Sequence, residues 1–207
     1  MSLNNFTFNT TSGIRFGSGT SKSCVEEVSK KLGSNILFIT DKDLMSLKLT
    51  KPTLNELKKF SSIVEIFQDV EADPSLKTLK NAIDTGKKIK ATGVIGFGGG
   101  SSMDVAKLAS LILGSNQNID EVWGVSNAKG PRLPLVLMPT TAGTGSEVTP
   151  ISIITVGEEE KKGVSSPIIL PDLAILDPDL TLGLPALTTA ATGIDAMVHA
   201  IEGYASS

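Results

Sequence analysis

The chain has 207 residues, 40% of them hydrophobic and 20% charged, and its net charge is −3. This is an ordinary globular balance with material for a sizeable core, and its mild acidity leaves no electrostatic footprint for nucleic acid. A single cysteine, Cys24, excludes an intrachain disulfide and a multi-cysteine zinc site; with no apolar run near the ~18 residues of a membrane helix and no basic-then-apolar leader, a cytoplasmic protein with neither nucleic-acid nor membrane partners is expected.

Residues 6–16 read as a β-hairpin: Phe6 and Phe8 alternate, Thr10–Gly13 carry turn chemistry, and Ile14 and Phe16 alternate again. Ser21–Leu32 has the helical stripe Val25, Val28, Leu32. Asn35–Thr40 is a short apolar strand that ends at Asp41. Pro52 suits the first turn of a helix with Leu54 and Leu57 inward, and Ile63–Phe67 reads as a strand. Leu76, Leu79 and Ile83 mark another helix.

The stretch GVIGFGGGSSMDV, residues 93–105, organises the rest. An apolar strand, Val94–Phe97, meets Gly98, Gly99, Gly100, Ser101 and Ser102, after which Val105, Leu108, Ala109 and Ile112 set a helical period. Glycines let backbone approach a ligand, and the free N–H groups of a helix start favour an anion. Ser101 and Ser102 are candidates to cap that helix. The spacing is not G-x-G-x-x-G, and an isolated glycine turn is equally a plain strand–helix connection. A second small, hydroxyl-rich loop, PTTAGTGSE at 139–147, follows a second apolar run, Leu135–Met138. Two such loops can line one carboxyl edge of a sheet, where α/β proteins bind ligands.

Later strands are expected around Ile153 and Ile175, and Glu158–Lys162 reads as a solvated loop. Strands alternating with helices imply an α/β fold with a mostly parallel, Rossmann-like sheet. At Asp177–Pro185 two prolines and a glycine close that pattern, and an alanine-rich helical stretch follows. A boundary near Leu182 divides the chain into an α/β domain, 1–182, and the start of a helical domain, 183–207.

Three motifs in this order, GFGGGSSMDVAK at 96–107, PTTAGTGSEVT at 139–149 and GIDAMVHAIEGYAS at 193–206, resemble the iron-containing (group III) alcohol dehydrogenase family. The resemblance implies a nucleotide-binding α/β domain followed by an all-helical metal domain. It implies NAD cradled by Gly98, Gly99, Gly100, Ser101 and Ser102, with Asp104, Thr140, Thr141, Thr144, Ser146 and Lys161 as further cofactor candidates. Asp41, at the end of a strand, can take ribose hydroxyls and repel a 2′-phosphate, which favours NAD over NADP.

Asp195 and His199 stand four apart on one helical face. By spacing alone such a pair is more often a surface ion pair; the resemblance makes them two of four metal ligands, for Fe²⁺ or, as competitor, Zn²⁺. The family's other two ligands are histidines, and this chain has one histidine in all. The resemblance stops short of the family's C-terminal end, so the chain is read as the N-terminal portion of a longer dehydrogenase, unable by itself to oxidise an alcohol. A small alcohol or aldehyde is the implied substrate, and a homodimer through the exposed edge of the hairpin is expected. Two other readings are a glycerol dehydrogenase or dehydroquinate synthase-like enzyme, and a stand-alone nucleotide-binding module. Trp123 and Tyr204 are expected to be packing residues, and Cys24 a small hydrophobe.

Overall fold

A computed structural model describes residues 7–157 and 160–206. In chain order the elements are β1 (Ile14–Phe16), α1 (Thr20–Ser23), α2 (Val25–Leu32), β2 (Asn35–Ile39), α3 (Lys42–Ser46), α4 (Lys51–Phe60), β3 (Ile63–Phe67), α5 (Leu76–Lys88), β4 (Gly93–Gly98) and α6 (Gly100–Ser115). Then follow β5 (Gly124–Val125), β6 (Leu135–Pro139), β7 (Ile151–Val156), β8 (Glu160–Ser165), β9 (Leu173–Leu176) and α7 (Ala186–Ala205), with short 3₁₀ turns between them.

Six strands form one sheet in the order β3-β2-β4-β6-β9-β1, every pair parallel. The chain runs outward from β2 to β3, then crosses back over β2 to lay down β4, β6 and β9. That reversal opens a crevice between the carboxyl ends of β2 and β4, the topological switch point where such sheets bind ligands.

The central strands are apolar on both faces because both faces are covered. Leu37, Ile39 and Val94 join the core under α5 and α6, whereas Ile36, Phe38, Ile95 and Phe97 join the core under α2 and α4. Phe38 and Phe97 meet on the second face with centroids 5.5 Å apart, a contact worth about 0.5–1.5 kcal/mol beyond its buried area. On the other face Gly96 allows α6 to come close: a Cβ there would lie 2.7 Å from Ala106 Cβ and 2.7 Å from Leu137 Cδ2.

The hairpin expected over 6–16 is not formed by the described residues. Residues 7–13 hold no strand, and β1 pairs parallel with β9. The preceding segment is tied to the entry of β9, with Ala174 N–H donating to Gly13 O at 2.9 Å and Thr11 Oγ1 to Pro171 O at 2.9 Å. Its Phe6 arm falls outside the described residues. The expected loop at 158–162 is corrected for Glu160–Lys162, which belong to β8, antiparallel to β7; Glu158 and Glu159 lie outside the described residues. Strand pairing with Ile154, Thr155 and Val156 satisfies their backbone while Lys161 stays exposed. Trp123 packs against the core as expected, but Tyr204 is 94% exposed and packs on nothing described. Cys24 is half-buried against the core.

Asp177, at the end of β9, ties the N-terminal segment to the sheet. Its carboxylate accepts from Gly19 N–H (3.0 Å), Ser21 N–H (3.0 Å), Ser21 Oγ (2.6 Å) and Asp179 N–H (3.1 Å). Burial by itself would raise its pKa, but the bonds from Ser21, Gly19 and Asp179 outweigh burial and hold it below the ordinary carboxylate value. Asp177→Ala orphans the buried N–H and hydroxyl of Ser21 and the half-buried N–H groups of Gly19 and Asp179, and a loss of about 2–3 kcal/mol in urea unfolding is expected. The sign with pH follows from the depressed value. Its contribution is complete above the unfolded carboxylate pKa of about 3.9 and fades as the pH falls through the folded value, so wild type and variant should converge in stability in acid.

Candidate functional site

A cleft of about 700 Å³ sits at the switch point. Its walls are Asp41–Leu44 after β2, Gly99–Ser102 after β4, Thr140 and Thr141 after β6, and Val70–Ala72 after β3. Leu184, Pro185 and Thr188, leading into α7, close one side.

The floor is the start of α6. Gly99 is the N-cap and the helix begins at Gly100, so Ser101 and Ser102 are not caps; they occupy the first turn, and no side chain caps it. The N–H groups of Gly100, Ser101 and Ser102 therefore have no intrahelical acceptor, and the helix dipole adds positive potential there. Gly98 has φ +151°, and a Cβ on it would lie 2.7 Å from Ser102 Oγ, so only glycine fits this turn. Over the floor stands Thr141, whose Oγ1 is buried without a hydrogen-bond partner. A row of unbonded N–H donors and an orphaned hydroxyl, around a glycine floor, fit a pyrophosphate.

Asp41 also lines the cleft. It is the N-cap of α3, its Oδ1 accepting Leu44 N–H at 2.8 Å. Burial raises its pKa above the ordinary value, with the Leu44 N–H opposing. A carboxylate fixed at a strand end suits vicinal hydroxyls of a ribose.

Other sequence candidates stand elsewhere. Thr144 sits on the lip of the floor, its Cγ2 3.1 Å from the position of a Cβ on Gly100. Ser146 and Asp104 lie beneath it: Ser146 Oγ donates to Asp104 Oδ1 at 2.7 Å, and Ile153 N–H donates to Asp104 Oδ2 at 2.9 Å. Neither lines the cleft, because both are spent on holding the loop to the helix. Lys161 is exposed on β8 and pairs with Asp73 at 2.6 Å, outside the cleft walls.

Sequence reasoning missed Lys107. It is fully buried, with Nζ donating to Ser146 Oγ at 2.8 Å and to Ile151 O at 2.7 Å, and stands 3.9 Å from Asp104 Oδ1. Burial pushes its pKa down to about 8, against the nearby charges of Asp104 and Glu147. The available signal was a lone cation inside the apolar run VAKLASLIL at 105–113. Glu71 and the α7 approach were also missed, since only the crossing connections bring them to the cleft.

The second loop also meets α7. A Cβ on Gly143 would lie 2.7 Å from Thr192 O, so the helix crosses the loop closely there. Asp195 and His199 follow on the same helix, His199 Nε2 3.7 Å from Asp195 Oδ1, both partly exposed. Among the described residues no three His, Cys, Asp or Glu side chains converge on one point. Two donors do not complete a catalytic metal centre, which takes at least three protein ligands.

Comparison with known proteins agrees with this geometry. The sequence model of the iron-containing alcohol dehydrogenases matches residues 11–178, and the chain belongs to that family. It is 38% identical over 200 residues to the sulfoacetaldehyde reductase of Bilophila wadsworthia, covering 96% of this chain and 52% of that protein. It is 39% identical over 193 residues to long-chain-alcohol dehydrogenase 1 of Geobacillus thermodenitrificans, covering 92% and 49%. Among solved structures, a 1,3-propanediol oxidoreductase superposes with TM-score 0.92 at 32% identity, over 97% of this chain and 53% of that one. The sulfoacetaldehyde reductase of Bifidobacterium kashiwanohense in complex with NAD⁺ superposes with TM-score 0.87 at 30% identity, over 99% and 54%. The chain thus spans about half the length of the relatives it matches.

Proposed function

We propose that this chain is the NAD-binding portion of an oxidoreductase that moves hydride between a small alcohol and its aldehyde. The observation that carries it is the row of free α6 N–H groups facing the buried, unpartnered Thr141 hydroxyl across a glycine floor. NAD, when bound, supplies the hydride acceptor. Gly100, Ser101 and Ser102 hold the pyrophosphate by backbone N–H, Thr141 donates a hydroxyl to the same region, and Asp41 takes the adenosine ribose. The walls from Val70–Ala72 and from Leu184–Thr188 shield the dinucleotide from water. Asp195 and His199 supply two metal donors, too few for turnover, so the 207-residue chain binds NAD without oxidising alcohols. Residues 183–206 read as the beginning of a separate helical unit, since α7 has no buried residue. The exposed β1 edge is where a second copy would pair.

Titration of the chain with NAD⁺ and NADP⁺ tests this reading. Asp41→Gly removes the carboxylate that meets a 2′-phosphate, and should shift selectivity toward NADP⁺ by about tenfold or more, since one repelled charge is worth over ~1.4 kcal/mol. Unchanged selectivity takes Asp41 out of the site. Alcohol turnover by the chain with Fe²⁺ or Zn²⁺ would overturn the inactivity.

A further inference from the structure

Lys107, the one fully buried cation of the described residues, does not line the cleft. Lys107 is seven residues, about two helical turns, past Gly100 on α6. Its ammonium donates to Ser146 Oγ at 2.8 Å and to Ile151 O at 2.7 Å. Ser146 Oγ donates onward to Asp104 Oδ1 at 2.7 Å, and Ser146 N–H donates to Thr144 Oγ1 at 3.3 Å. Thr144 in turn rests on Gly100. Ser152 Oγ donates to Asp104 O at 3.0 Å, and Ile153 N–H to Asp104 Oδ2 at 2.9 Å. The helix that offers the N–H groups and the loop that offers Thr141 are thus joined below the cleft by one charged relay.

Burying an ammonium is costly unless it is paired and bonded, and apolar side chains alone would fill this position without that cost. What the relay adds is register: Ser146 can accept from Lys107 and donate to Asp104 only if loop and helix hold one relative position. We propose that Lys107 and Ser146 are positioning residues for the pyrophosphate, clamping the 139–149 loop to the start of α6 so that both sets of donors converge on one anion. The proposal rests on the dinucleotide reading of the cleft. The charged groups facing Lys107 are Asp104 from α6 and Glu147 from the 139–149 loop.

The test is a chemical-shift titration of the 207-residue chain with three probes: NAD⁺, ADP-ribose and adenosine. Adenosine has the ribose but no phosphate. Ser146→Ala, which removes one small hydroxyl and leaves the ion pair, should weaken NAD⁺ and ADP-ribose about tenfold and adenosine less than twofold. Lys107→Met, which removes both ammonium bonds, should likewise weaken NAD⁺ and ADP-ribose more than adenosine. Equal loss for all three probes in Ser146→Ala would mean general loosening of the fold and overturns the proposal. So does unchanged ADP-ribose binding. A wild-type chain that binds none of the probes overturns the nucleotide reading itself, whereas one that binds them with Ser146→Ala unaffected overturns the clamp alone.

Discussion

Ser101→Glu is expected to weaken NAD⁺ binding about 30-fold while leaving the melting temperature unchanged or slightly raised. Two effects of opposite sign separate here. Ser101 is in the first turn of α6 and lines the cleft. A carboxylate at a helix N-terminus interacts favourably with the dipole, worth about 0.3–1 kcal/mol to the fold. The same carboxylate competes for the free N–H groups and repels the pyrophosphate. A like-charge contact near the surface, partly screened, costs about 2 kcal/mol, which converts to roughly 30-fold in affinity. Calorimetric titration beside a thermal melt reads both. Binding that survives the substitution would place the pyrophosphate away from this helix. A variant that also melts early would mean that the serine is needed for folding and would leave the helix start without its assigned role.

Gly96→Val should cost the fold about 3 kcal/mol or more, a drop of roughly 6–12 °C in melting temperature for a domain of this size. Gly96 lies in the central strand, fully buried between Leu137 on β6 and α6. A Cβ there approaches Met103 Cα within 3.3 Å as well as the two contacts at 2.7 Å, so backbone as well as side chains must move. Valine adds two methyl groups beyond that Cβ, pushes α6 off the sheet and moves the phosphate floor with it. Urea unfolding monitored by circular dichroism gives the stability. NAD⁺ affinity at low temperature, where the variant is still folded, should fall as well. A variant of unchanged stability would mean that the helix and strand are not in the close packing described.

Local pattern determined much of this protein. The apolar runs 36–39, 94–97 and 135–138 are strands because parallel strands covered on both faces need no polar alternation. Gly98–Ser102 had to be a turn into a helix, since three glycines precede an apolar helical period, and Asp41 had to stand at a strand end. Those features depend on residues within a few positions of one another, and they placed Asp41, Gly99–Ser102, Thr140 and Thr141 on one cleft.

Only the tertiary structure decided the rest. The segment at 14–16 has the alternation of a hairpin arm, yet its hydrogen-bonding partner is β9, about 160 residues further on, and alternation says nothing about which strand a strand will meet. The resemblance made both Lys161 and Ser146 cofactor candidates, but one is held on the surface by Asp73 and the other is turned inward by Lys107 and Asp104. The role of a polar side chain is set by the partner that satisfies it, and that partner is brought by crossovers that no local window contains. Lys107 shows this most directly: in sequence it is one lysine on a helix, and in the fold it is a buried ammonium because β7 and the 139–149 loop close over it.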